Sequence, residues 1–221
     1  TTGIIRGEEV LPLNPTLAFA KKCGMNLHYV SRKQYGQKNS NEFLESLKEL
    51  YGDFYMVPEG GANHEGIRGC AEIIDEIDFD FDYICTSCGT GTTLTGLIAG
   101  LQEHQKAIGF SALKGEDRLS REVKVFLGAD NCHNWNISFD YHFGGYAKYN
   151  PVLVEFIKMF KELTDITLDP LYTGKMAFGV LDLIKKDFFK PGSKIVMLHT
   201  GGLQGIEGYN SRFKVNLPLG N

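Results

Sequence analysis

Strand-like and helix-like segments alternate along nearly the whole chain, and three of the strands run into glycine-rich turns. That alternation constrains the fold more than any other feature. Successive βα units bury both faces of a parallel sheet under helices, which is the α/β class. Apolar runs predict strands at 3–6, 27–30, 53–57, 81–86, 107–113 and 195–199. Helical spacing predicts helices over 41–50, 66–77, 93–104, 117–126, 151–163 and 174–186. An earlier helix is framed by its own local chemistry, with Asn14 as N-cap, Pro15 at the first helical position and Gly24 as the stop.

The most informative turn is Cys88-Gly89-Thr90-Gly91-Thr92-Thr93, which ends an apolar strand and opens a helix. Glycines let backbone N–H groups converge without interference from Cβ atoms, threonine hydroxyls add donors, and the helix N-terminus adds partial positive charge. This suits a phosphate. The loop holds no Lys or Arg, so a monophosphate held by main chain fits better than a triphosphate. Neither the P-loop pattern nor the dinucleotide G-x-G-x-x-G is present. The plain alternative is a tight strand-to-helix turn without a ligand. Two further glycine-rich loops, at 60–66 and 201–205, also follow predicted strands. On one sheet edge the three would wall a small polar pocket, as ligands bind at strand carboxyl ends in open parallel sheets. In Asp169-Pro170-Leu171-Tyr172-Thr173-Gly174-Lys175 a tyrosine stands just before a helix, where its hydroxyl faces a ligand or its ring is simply buried.

Composition narrows the partners. The chain has 221 residues, 43% hydrophobic and 23% charged, enough for one large domain or two small ones. A net charge of −4 supplies no basic field for nucleic acid or an anionic membrane, and no apolar run is long enough to span a bilayer. The five cysteines, Cys23, Cys70, Cys85, Cys88 and Cys132, are too few and too scattered for a disulfide framework, which points to a reducing, cytoplasmic setting. Cys85 and Cys88 form a C-x-x-C, but nothing completes a zinc site, so strand-end packing is the expectation.

Several motifs occur together and in order: Arg6-Gly7-Glu8 with Asn14-Pro15-Thr16-Leu17, Gly60-Gly61-Ala62-Asn63, the run from Thr86 to Thr93, the run from Asp169 to Lys175, and His199-Thr200-Gly201-Gly202. Together they resemble the D-cysteine desulfhydrase/1-aminocyclopropane-1-carboxylate (ACC) deaminase family. The resemblance implies pyridoxal 5'-phosphate (PLP) as cofactor and the fold-type II, tryptophan synthase β-like architecture of two parallel-sheet, three-layer α/β domains. It assigns 1–55 to the remainder of the small domain and 56–221 to the large PLP-binding domain. It makes Cys88, Gly89, Thr90, Gly91, Thr92 and Thr93 the phosphate cup, Thr200 the hydroxyl facing the pyridine nitrogen, and Tyr172 and Tyr146 the active-site tyrosines. Asn63 would lie in the loop beside the cofactor. The implied partners are a small amino-acid substrate and a second copy of the chain in a homodimer.

ACC deaminases of the family resemble Tyr-Glu where this chain has Tyr172-Thr173, and carry Leu where it has Thr200. The chain is therefore expected to act as a D-cysteine desulfhydrase, releasing pyruvate, ammonia and sulfide. ACC deamination to 2-oxobutanoate and ammonia is the alternative, and a non-catalytic phosphate-ligand module is the reading from a different class. The family's Schiff-base lysine lies in a Gly-Asn-Lys motif upstream of the segment matching Thr1. The chain is thus expected to be N-terminally truncated and, as given, to turn over little. Lys175 matches a different family lysine, and His199 is read as strand-end packing rather than a base.

Overall fold

The computed structural model describes residues 1–115, 117–128 and 133–220, so Cys132 lies outside the described residues. The chain divides into two compact units, Thr1–Met56 and Val57–Asn221. In the first, β1 (Thr2–Arg6) pairs in parallel with β2 (Asn26–Val30) through the crossover helix α1 (Pro15–Lys22). α2 (Arg32–Gly36) and α3 (Asn41–Tyr51) follow. Asn14, Ser31 and Ser40 cap these three helices through their side chains. Val30, Phe43 and Leu47 form the core, with Ile4, Tyr35 and Met56 against it. α2 was not predicted, because five residues are too few to show a period. The expected strand at 53–57 is absent: Phe54, Tyr55 and Val57 are exposed, and among the described residues no neighbouring strand pairs with this segment.

The second unit runs α4 (His64–Asp75), β3 (Tyr83–Cys88), α5 (Thr92–Gly100), β4 (Lys106–Ser111), α6 (Asp117–Leu127), β5 (Trp135–Ser138), α7 (Pro151–Thr164), α8 (Thr173–Lys185), β6 (Ile195–Met197) and α9 (Gly205–Phe213). Its sheet has the order β5-β4-β3-β6 and is parallel throughout. The period of two along the strands sorts side chains to two faces. Ile84, Cys88, Ala107 and Ile137 pack with α4, α5 and α6. Tyr83, Cys85, Ile108 and Phe110 face the other way, onto Met176 and Val180 of α8. A further core joins α7, α8 and α9 through Leu153, Ile157, Ala177, Ile206 and Tyr209. The result is the expected three-layer arrangement. β5 and α9 were not foreseen, as one is four residues long and the other opens inside the third glycine-rich stretch.

α5 stops at Gly100 rather than continuing to residue 104, because Leu101 turns extended and Gln102 N–H donates to the Gln105 side chain at 3.0 Å. Its glycines permit close packing on α4. A methyl built on Gly96 would sit 2.4 Å from Cys70 Cβ and 2.5 Å from the Ile67 carbonyl oxygen. Gly96→Ala is therefore expected to lose about 1–3 kcal/mol to overpacking, more than the helix-propensity gain of about 1 kcal/mol. Gly208→Ala in α9, where nothing lies within 4 Å of the added methyl, is expected to be neutral or stabilising by up to about 1 kcal/mol. Urea unfolding midpoints of the two variants check both signs.

Candidate active site

The strand order makes one place special. From β3 the chain moves outward to β4 and β5, then returns to lay β6 on the other side of β3. Ligands in open parallel sheets bind beyond the strand carboxyl ends where the order reverses. The loops leaving β3 and β6 flank that point. The β3 loop enters α5 with Gly91 as N-cap at φ 86, and no side chain caps the helix. By contrast Asn63 Oδ1 caps α4 and Asn150 Oδ1 caps α7. The first turn of α5 carries no acidic residue, and the Thr90 and Thr92 hydroxyls share a hydrogen bond of 2.9 Å. Free N–H donors, local hydroxyls and the helix dipole thus meet at one turn. Gly91 has no room for a side chain, as a Cβ there would lie 2.8 Å from Val123 Cγ2.

Tyr172 reaches this turn from the N-cap of α8. A Cβ on Gly89 would lie 3.2 Å from the Tyr172 hydroxyl oxygen. The tyrosine is held by Asp169, a carboxylate only 1% exposed. Asp169 Oδ1 accepts from the N–H groups of Leu171 and Tyr172, and Oδ2 from the Thr173 N–H, each at 2.8 Å. The Thr173 hydroxyl donates to Oδ2 as well, at 2.5 Å. This carboxylate caps α8 from outside the helix and sets the backbone on which Tyr172 stands. The Tyr146 ring meets the Tyr172 ring edge-on, with centroids 5.8 Å apart. Burial first, then the neighbouring Tyr146 hydroxyl, pushes the Tyr172 phenol up to about 12.

The loop after β6 closes on the same place. His199 Nε2 meets the Thr167 carbonyl oxygen at 2.8 Å, and Nδ1 accepts from the Gly201 N–H at 3.1 Å. These bonds assign the Nε2–H tautomer and make His199 a strap rather than a base. A Cβ on Gly202 would lie 3.5 Å from the Asp169 carboxylate carbon, so Thr200 stands in a loop packed on Asp169. The loop at 60–66 joins through Gly60, whose Cβ position would be 2.8 Å from Thr90 Cγ2. All three glycine-rich loops therefore converge. Lys175, 1% exposed, donates to the carbonyls of Ala112 at 3.1 Å and Gly145 at 2.9 Å. Burial pushes its ammonium down to about 8.

A family model described as pyridoxal-phosphate dependent enzyme matches residues 14–201. The chain belongs to that family. It is 32% identical over 228 residues to a Pyrococcus furiosus protein provisionally named 1-aminocyclopropane-1-carboxylate deaminase, covering 95% of this chain and 68% of that one. It is also 32% identical to the bifunctional D-cysteine desulfhydrase/ACC deaminase of Arabidopsis thaliana, covering 86% of this chain and 53% of the relative. A crystal structure of an ACC deaminase homologue superposes with a TM-score of 0.77 at 30% identity, over 95% of this chain and 68% of that chain. The parallel α/β layers are thus those of fold-type II PLP enzymes.

The residues present fit the phosphate of PLP. A Cβ on Gly89 would crowd the Tyr172 hydroxyl beside the turn, Gly91 lets the turn close on the core, and the helix it opens has unspent N–H donors. Two side chains of these loops are committed elsewhere. Cys88, expected in the cup, turns into the core at 1% exposure, so only its main chain can serve. Asn63 lies in the loop that reaches Thr90, but its Oδ1 caps α4 at Gly66 N–H, 2.8 Å away. The C-x-x-C is no redox pair: Cys85 and Cys88 pack into cores on opposite faces of the sheet, and burial pushes both thiols up to about 12. No group of three His, Cys, Asp or Glu that could hold a metal occurs among the described residues. No helix described is long and apolar enough to cross a membrane.

Asp169 and Lys175 were quoted from sequence but given no role. The signal for Asp169 was its place four residues before Thr173, the spacing of a local cap. Nothing in the sequence tied Lys175 to residues 112 and 145. Asp169→Ala should orphan three backbone N–H groups and lower unfolding stability by about 3 kcal/mol, read by chemical denaturation. Gly91→Ala, strained at φ 86, should weaken PLP binding by about tenfold for each 1.4 kcal/mol of strain, read by absorbance titration.

Proposed function

We propose that the protein is a PLP-dependent lyase that removes the β-substituent of a small D-amino acid, converting D-cysteine and water to pyruvate, ammonia and hydrogen sulfide. The observation that carries this reading is the Tyr172 hydroxyl poised over Gly89 with the Tyr146 ring against it. Main-chain donors at 89–93 would hold the cofactor phosphate, and the Thr200 hydroxyl would face the ring nitrogen. When bound, PLP supplies an electron sink for charge developing at the substrate Cα. With its phenol raised to about 12, Tyr172 is protonated at neutral pH. It therefore works as a hydrogen-bond donor and acid toward the leaving group, not as a resting base. Tyr146, half exposed, stands on the solvent side, where it can orient the substrate.

The preference for D-cysteine rests on position 173. Thr173 is fully buried and bonded to Asp169, so this position sends no carboxylate toward the pocket. ACC deamination is the second reading, favoured by the names of the Pyrococcus relative and of the solved homologue. The test is an assay of the protein as its gene encodes it, loaded with PLP. Sulfide and pyruvate from D-cysteine, exceeding 2-oxobutanoate from ACC, is the expected result. The reverse ranking selects the deaminase, and bound PLP without either product selects a non-catalytic module. Tyr172→Phe should lower kcat on the better substrate by about a hundredfold. Ionisation of Tyr172 should cause no loss of rate until the pH approaches 12.

A further inference from the structure

We propose that Lys175 is a positioning residue: its ammonium holds the loop that carries Tyr146 against Tyr172 by gripping the carbonyls of Ala112 and Gly145. This rests on the reading of the two tyrosines as active-site groups.

The loop has little reason to keep its shape alone. Phe143, Gly144, Gly145 and Ala147 all have positive φ, at 50°, 86°, 113° and 49°. Two of these are not glycine and adopt the left-handed region at a cost, so the surroundings must impose the conformation. Gly145 is buried between the exposed residues Gly144 and Tyr146, which makes it the anchor of the loop. Its N–H donates to the His142 carbonyl at 3.0 Å, a bond within the loop itself. Its carbonyl, by contrast, accepts from Lys175 at 2.9 Å, a residue 30 positions away on α8. The same ammonium takes the Ala112 carbonyl at 3.1 Å, just past the end of β4. Lys175 therefore ties the loop to the sheet.

The geometry also explains why a lysine stands here. Burying an ammonium among neutral acceptors is unfavourable, and replacing it with an apolar side chain would orphan two carbonyls. Only a multiple donor can join both carbonyls at one point. Tyr172 is the N-cap of α8 and Lys175 lies in its first turn. One helix end thus sets both halves of the tyrosine pair: Tyr172 directly, and Tyr146 through the peptide that precedes it. Lys175 Nζ spends its bonds on main chain, which marks it as positioning rather than catalytic.

The experiment is a double-mutant cycle on the PLP-loaded protein as its gene encodes it. Lys175→Met is expected to lower kcat by about tenfold with KM changed by less than about threefold. In a Tyr146→Phe background the same change should cost less than about twofold, because the group it positions has lost its hydroxyl. Equal losses in both backgrounds would overturn the proposal and leave Lys175 a stability residue. A second readout is independent of turnover: fluorine NMR of fluorotyrosine-labelled protein, with Tyr146 and Tyr172 assigned by their Phe variants. Lys175→Met should shift both signals, and Lys175→Gln, whose amide on a shorter arm cannot reach both carbonyls, should shift them less but leave them displaced from wild type. Should Lys175→Met not fold, a Lys175→Gln variant with wild-type signals and wild-type kcat overturns the proposal, whereas displaced signals support it. If Tyr146→Phe alone leaves kcat and KM unchanged while Lys175→Met shifts the fluorine signals, the active-site reading of Tyr146 fails and the clamp stands.

Discussion

Asp169 is a carboxylate buried at the junction between α7 and α8, and four hydrogen bonds converge on its two oxygens. A buried charge survives only when it is so fully satisfied, and here its partners are the N–H groups that open α8. The helix dipole adds to the same balance, as the positive end of α8 points at the carboxylate. Tyr172 is set by this cap, since its own N–H is one of the donors. Lys175 follows three residues on, and Gly202 packs on the other side of the carboxylate. The tyrosine, the clamp lysine and the third glycine loop therefore share one origin.

The phosphate cup works by the opposite economy. α1, α3, α4 and α7 satisfy their first turns with Asn or Ser side chains. α5 does not, and its N-cap is a glycine. A helix start left without a cap at the reversal point of a parallel sheet is suited to an anion, because the fold supplies donors that nothing else consumes. Gly96 and Gly100 let α5 press on α4, which fixes where those donors point.

The two buried charges near the site, Asp169 and Lys175, are spent on hydrogen bonds of their own, and the groups around them are neutral. Tyr172 holds its proton through burial, and the two cysteines of β3 are pushed away from thiolate character. His199 spends both ring nitrogens on main chain. Lys175, the buried cation beside the pocket, is turned to carbonyls. What remains for chemistry is a set of hydroxyls around a main-chain anion site, with the electron sink left to the cofactor.

The sequence by itself determined the class and the cup. Alternating strands and helices require a parallel α/β sheet, and Gly89-Thr90-Gly91-Thr92-Thr93 after an apolar strand reads as an anion turn because backbone geometry there is local. Asn14 with Pro15, and Gly24 just past α1, marked helix ends for the same reason. Elements too short to show a period, such as α2 and β5, stayed hidden, and the run at 53–57 looked like a strand because pairing partners are not written in local pattern. Only the tertiary structure decided that three glycine loops meet, that Cys85 and Cys88 face opposite layers, and that Lys175 reaches residues 112 and 145. These are long-range contacts, set by the order of strands in the sheet and by packing across its two faces. No spacing along the chain encodes them directly.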